Sequence, residues 1–144
     1  MKILTLLASM SAVPAQACFS GQPQDLEIFR KAQMVIRAKV ERYEQQPKTH
    51  SALFDLELVK TLETRGPLLR IPRITARWRN STFGEPAQWD GPRDVIVGLR
   101  AVIDRDGTAQ VEIVQQPCSL RSILADAPEN VDRILAVLQN SNAE

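Results

Sequence analysis

Histidine is almost missing from this 144-residue chain: His50 is the only one, and it ends a polar stretch, 44–50, that also holds Pro47. A lone histidine in a polar turn removes the most common general base and the most common metal ligand. His-Glu-x-x-His, Gly-x-Ser-x-Gly and a phosphate-cradling glycine loop are all absent. Cysteine is nearly as scarce, with only Cys18 and Cys118, and two cysteines with one distant histidine do not make a tetrahedral zinc set. Asp55 and Glu57 share a strand face, yet paired carboxylates on a solvated strand need a cleft before they can act as acid and base. No catalytic residue, metal or cofactor is therefore expected.

Charge of one sign is lacking too. Eighteen basic side chains face 17 acidic ones, and a general nucleic-acid binder is strongly basic, so nucleic acid is not the expected partner. Long hydrophobic runs are also absent. The apolar stretch 3–10 is far shorter than the roughly 20 residues that span a bilayer, so no transmembrane segment is predicted.

What that stretch does fit is a secretory signal. Lys2 precedes it, and small residues follow it up to Val13-Pro14-Ala15-Gln16-Ala17, an Ala-x-Ala end. Residues 1–17 are expected to be removed, leaving 18–144 as one secreted or periplasmic domain; cleavage after Ala15 is the other candidate. A lipid on Cys18 ranks third, because Ala15 stands where lipoprotein signals carry a large aliphatic residue. Lys2 is the only charged residue in 1–17, so the remaining chain is balanced in side-chain charge. In an exported chain an even cysteine count favours a disulfide, and Cys18 is expected to pair with Cys118.

The pattern after residue 33 is that of strands. Met34, Ile36, Ala38 and Val40 alternate with Arg37, Lys39 and Glu41, the period of two that one dry and one wet face produce. Further strands are predicted over about 52–62, 70–79, 94–103 and 108–115. Pro72 places the start of the third at an edge or a bulge. Val95-Ile96-Val97-Gly98-Leu99 is apolar throughout, so the fourth is expected to be buried on both faces, with Gly98 marking a bend or a close backbone contact. Asp104-Arg105-Asp106-Gly107 reads as a hairpin turn. Asp25–Ala32 is predicted to form two helical turns, with Leu26, Phe29 and Ile28 inward. After Pro128, Val131, Ile134, Leu135 and Leu138 fall at i, i+3, i+4 and i+7 of an amphipathic helix, with Asp126 and Glu129 at capping-box spacing. The fold class expected is mainly β: a small closed barrel of five strands with a short N-terminal helix and a C-terminal helix.

One binding face stands out. Arg70, Arg73, Arg77 and Arg79 cluster on the third strand close to Trp78 and Trp89, pairing basic side chains with aromatic platforms that suit glycans or polyanions. The alternative is a solvated strand face with Trp78 in the core. Asn80-Ser81-Thr82 in the longest irregular segment, 80–93, matches a glycosylation sequon.

Taken together, these features resemble the netrin-like domain, best known from the tissue inhibitors of metalloproteinases (TIMP-like proteins). The shared features are an exported chain with cysteine at its mature start, a short helix, and a first strand reading Val35-Ile36-Arg37-Ala38-Lys39-Val40. Five strands, Cys118 just after the last of them and a helical tail complete it. The resemblance spans nearly all of 18–144 and is carried most specifically by the first-strand run and the two cysteines. It implies an OB-fold, a five-stranded Greek-key barrel, in agreement with the strand count. In the inhibitors the N-terminal cysteine places its free amine and carbonyl on the protease zinc. Carried over, this gives Cys18 that role, with Phe19 and Ser20 lining the protease cleft. The family's Cys-x-Cys start is here Cys18-Phe19-Ser20, and Phe83-Gly84-Glu85-Pro86 occupies the loop before the fourth strand, where the family has a cysteine. Were Cys18 to match the family's second cysteine, the mature chain would begin at Gln16 and the zinc-binding role would have no cysteine. The expectation is an exported, non-enzymatic protein-binding module, meeting its partner through Cys18, Phe19 and Ser20; a metalloproteinase as that partner is what the resemblance alone implies. The alternative is a glycan- or polyanion-binding module using Arg73, Arg77, Arg79, Trp78 and Trp89.

Overall fold

The alternation that starts at Met34 continues past the predicted end of the first strand. β1 runs Met34–Gln46, reverses through a 3-10 helix at Pro47–Thr49, and returns as β2, Ser51–Thr64. His50 adopts left-handed φ 49° and ψ 39° to make the reversal, and it lies exposed as predicted. The computed structural model describes residues 24–66, 71–79, 89–115 and 122–140. The other strands are β3, Arg73–Arg79; β4, Asp94–Ile103; β5, Ala109–Ile113; and β6, Ile123–Ala125, followed by α1, Pro128–Asn140.

Five strands close on themselves in the order β1-β2-β3-β5-β4, with β4 pairing back to β1. The β3–β5 pair is parallel and the other ladders are antiparallel. Closure removes the exposed edges that an open sheet would present. β1 takes part in two ladders at once, which requires it to bend. The β1–β2 register slips at Val35/Ile36 and Arg37/Ala38, where Leu62 and Val59 are extra in β2, and at Val40/Arg42, where Glu41 is extra in β1; such bulges bend and twist the pair.

Period two in β1 and β4 separates two cores. Met34, Ile36 and Ala38 with Val95, Val97 and Leu99 point into the barrel, where they meet Phe54, Leu56, Ile74, Ala76 and Trp78. Val35 and Ile96 point the other way, onto Ile28, Phe29, Ile134 and Leu138 beneath the helical segments. β4 is therefore buried on both faces, as its apolar composition predicted.

The N-terminal helix departs from expectation. It is a 3-10 segment, Leu26–Lys31, with Asp25 capping the Glu27 amide at 3.0 Å and the Ala32 amide returning three residues to Phe29 at 3.1 Å. Six residues are too few to propagate an α-helix, and Ala32 is already extended because the chain must enter β1. Ile28 and Phe29 are fully buried, while Leu26 is half-buried. The capping box is also not formed. Asp126 lies one residue before Ala127, the residue that precedes α1. Its carboxylate instead receives the Arg37 Nε at 2.8 and 2.9 Å, which ties α1 to β1. β3 starts at Arg73 rather than Arg70, and the Pro72 carbonyl accepts the Leu58 amide at 2.8 Å, consistent with proline at a strand edge.

β6 had no counterpart in the sequence prediction. β5 and β6 both lie along the side of β4 away from β1, β5 against Leu99–Ile103 and β6 against Val95–Val97, so they are two halves of one interrupted strand. The interruption is tied at its neck. The Ser122 amide bonds the Val114 carbonyl at 3.0 Å, and the Ser122 hydroxyl reaches the carbonyls of Val114 and Gly98 at 2.8 and 3.0 Å. Gly98 completes the knot, its amide bonding Ser122 at 2.9 Å and its carbonyl accepting Val114 at 2.9 Å. This is the close backbone contact expected at Gly98.

Candidate functional site

Alternation along β3 sends Ile74, Ala76 and Trp78 inward and Arg73, Thr75, Arg77 and Arg79 outward. The predicted arginine face therefore exists, but much of its charge is matched from within. Arg77 forks onto Asp104 at 2.9 and 3.3 Å and reaches Glu112 at 3.1 Å. Arg79 meets Asp104 at 3.2 Å and Glu112 at 3.3 Å, and Arg100 adds a third guanidinium to Glu112 at 3.5 Å. The Asp104–Gly107 segment is the expected hairpin turn, and it doubles as the source of one of these carboxylates. Arg77 and Glu112 are also partners in the two-residue β3–β5 ladder, so the ion pairs brace the barrel's shortest seam.

Burial opposes the charge on Arg77, but the hydrogen bonds it donates to Asp104 and then Glu112, with the charge of those carboxylates, outweigh it and raise its pKa. The Arg77 hydrogen bond, with the charge of the two nearby guanidiniums, holds Asp104 below its ordinary value. Asp104 thus stabilises the fold above the ordinary carboxylate value of about 3.9, and that contribution is lost as pH falls through the lower folded value. Acid titration of stability should accordingly show a limb below about pH 4 that Asp104→Asn flattens. Glu112→Ala would leave three guanidiniums without their shared acceptor. We expect it to cost about 2 kcal/mol, seen as a lower urea midpoint with an unchanged m-value.

The two tryptophans are not platforms beside these arginines. Trp78 is 8% exposed and its indole N–H donates to the Gln115 side chain. Trp89 packs onto the end of the barrel, its ring centroid 5.2 Å from Phe54 and 6.4 Å from Tyr43. A Cβ on Gly91 would enter the Trp89 ring, so that glycine is what lets the indole fold back over the barrel.

Arg73 differs from its neighbours. It faces a groove of about 330 Å³ on the outer surface of β1, β2 and β3, lined also by Glu41, Arg42, Asp55 and Thr75. Asp55 accepts Thr75 Oγ1 at 2.7 Å and Arg42 Nε at 2.6 Å, and these bonds, Thr75's first, hold its carboxyl below the ordinary range. Glu41 is the extra residue of the bulge in β1, and its carboxylate, held low mainly by a 2.7 Å hydrogen bond from Arg93, forms the other wall. Glu57, which shares a face with Asp55, is exposed. Sequence reasoning grouped Arg73 with Arg77 and Arg79 and missed Glu41 and Arg42. A bulge in a strand that reads as unbroken alternation leaves no signal in composition.

The N-terminal edge, Cys18, Phe19 and Ser20, lies outside the described residues, as do Cys118, Arg70 and the Asn80 sequon. Among the described residues no group of three or more His, Cys, Asp or Glu side chains could hold a metal ion, and no helix is long and apolar enough to cross a membrane. Searches against protein-family models and against curated proteins return no match.

Proposed function

We propose that this chain is an exported OB-like Greek-key barrel that acts as a non-enzymatic protein-binding module through its N-terminal edge, Cys18, Phe19 and Ser20. The observation that carries the proposal is the barrel itself, with order β1-β2-β3-β5-β4, a parallel β3–β5 pair and an interior filled by side chains. That connectivity is the one OB-folds use, and a filled interior leaves recognition to the surface and the loops. The pairing of Arg77 and Arg79 with Asp104 and Glu112 weighs against a polyanion, because the charge such a ligand would neutralise is already compensated. The resemblance to tissue inhibitors of metalloproteinases makes an exported zinc metalloproteinase the first partner to test.

In that role a mature chain starting at Cys18 offers its free α-amine to the protease zinc, and the Cys18–Cys118 disulfide fixes the edge. The test is an inhibition assay against a panel of exported metalloproteinases, using protein whose N-terminus and intact mass are known. Inhibition should require a start at Cys18, vanish when one alanine is added before it, and survive Arg73→Ala with Arg77→Ala. A mature start at Gln16 would end the zinc-binding role. Partner binding that falls steeply with salt and fails in the double arginine variant would overturn the proposal in favour of the polyanion alternative.

A further inference from the structure

The groove beside Arg73 is separate from the N-terminal edge and does not depend on it. Among the described residues, the Arg73 side chain makes no hydrogen bond and no ion pair within 4 Å, although its charge reaches Glu41 and Asp55, so its five guanidinium donors are available to a ligand. The same groove contains acceptors. Asp55 accepts one hydrogen bond from Thr75 and one from Arg42, and Glu41 accepts Arg93 through Oε1, so both carboxylates keep acceptor capacity beyond these bonds.

We propose that this groove binds a sugar acid, a single hydroxylated ring carrying one carboxylate. Arg73 takes the carboxylate with its planar fork, and Asp55 and Glu41 accept the ring hydroxyls. Both halves of the ligand are needed. A plain carboxylate or phosphate offers acceptors only, and it would bring them up to Asp55 and Glu41 with nothing to donate. A neutral sugar satisfies the two carboxylates and leaves the guanidinium unused. The size agrees, since about 330 Å³ lies at the small end of the range for small-molecule sites. The charged residues that line the groove, Arg42 and Arg73 with Glu41 and Asp55, balance one another, and Arg73 alone among the four has no hydrogen-bonded partner for its side chain.

The test is a titration of the full chain with sodium glucuronate, followed by backbone amide shifts. Glucuronate should move the amides of Glu41, Arg42, Asp55, Arg73 and Thr75, whereas acetate and glucose at equal concentration should not. Arg73→Gln is exposed enough to fold normally and should weaken binding at least about tenfold, while Arg79→Gln leaves it unchanged. Acetate matching glucuronate would show a simple anion site and overturn the proposal. So would glucose matching it, undiminished binding by Arg73→Gln, or no shift at these amides.

Discussion

Gly98→Val is expected to destabilise the fold by about 3 kcal/mol, the upper end of the overpacking range. Even the first added carbon, the Cβ, would lie 2.9 Å from Ser122 Oγ and 3.2 Å from both the Ser122 and Ala32 Cβ atoms. None of these can retreat cheaply. Ser122 is fully buried and hydrogen-bonded to two carbonyls, and Ala32 is the hinge between the 3-10 helix and β1. Valine adds two methyl groups beyond that first clash, in a strand already enclosed on both faces. Thermal unfolding should fall by roughly 10 °C or more for a domain of this size. A double-mutant cycle identifies the cause. Gly98→Ala combined with Ser122→Gly should be less damaging than the two single changes added together. Additive losses would show that the crowding at this neck is not responsible.

Phe54→Ala should be at least as severe, at about 3–5 kcal/mol. Phe54 is fully buried on the inner face of β2, between the edge-on rings of Tyr43 at 4.9 Å and Trp89 at 5.2 Å. Its removal opens a cavity and takes away both aromatic contacts, each of which adds about 0.5–1.5 kcal/mol to simple burial. Trp89 then loses the ring it rests on, so tryptophan emission should shift to the red in the folded state. Phe54→Leu keeps most of the volume and should cost markedly less. Equal losses for leucine and alanine would mean that the ring contacts, not the cavity, dominate.

The sequence revealed most where one physical constraint acts alone. β4 was legible because burial on both faces of its first half leaves an unbroken apolar run from Val95 to Leu99. The α1 face was legible because Ile134 and Leu138 recur one turn apart. Legibility failed where long-range pairing decides. Nothing local in Ile123-Leu124-Ala125 marks a strand; it becomes one because β4 has three backbone positions left after β5 ends. The N-terminal segment reads only as two helical turns, and its 3-10 geometry was not legible because its apolar spacing serves either helix type over so few residues. The arginine cluster was visible, but its neutralisation was not, since Asp104 lies 27 residues from Arg77 and Glu112 lies 35 away. Charge counts along a chain do not report which charges meet across a parallel seam.

The neck that joins β5 to β6 has a consequence for how this chain tolerates change. Its two ends, Val114 and Ser122, are bonded to each other and to Gly98, so both half-strands are fastened to β4 at one point. The neck therefore acts as a rivet, and a change at Gly98 or Ser122 is felt by β4 and by both half-strands at once.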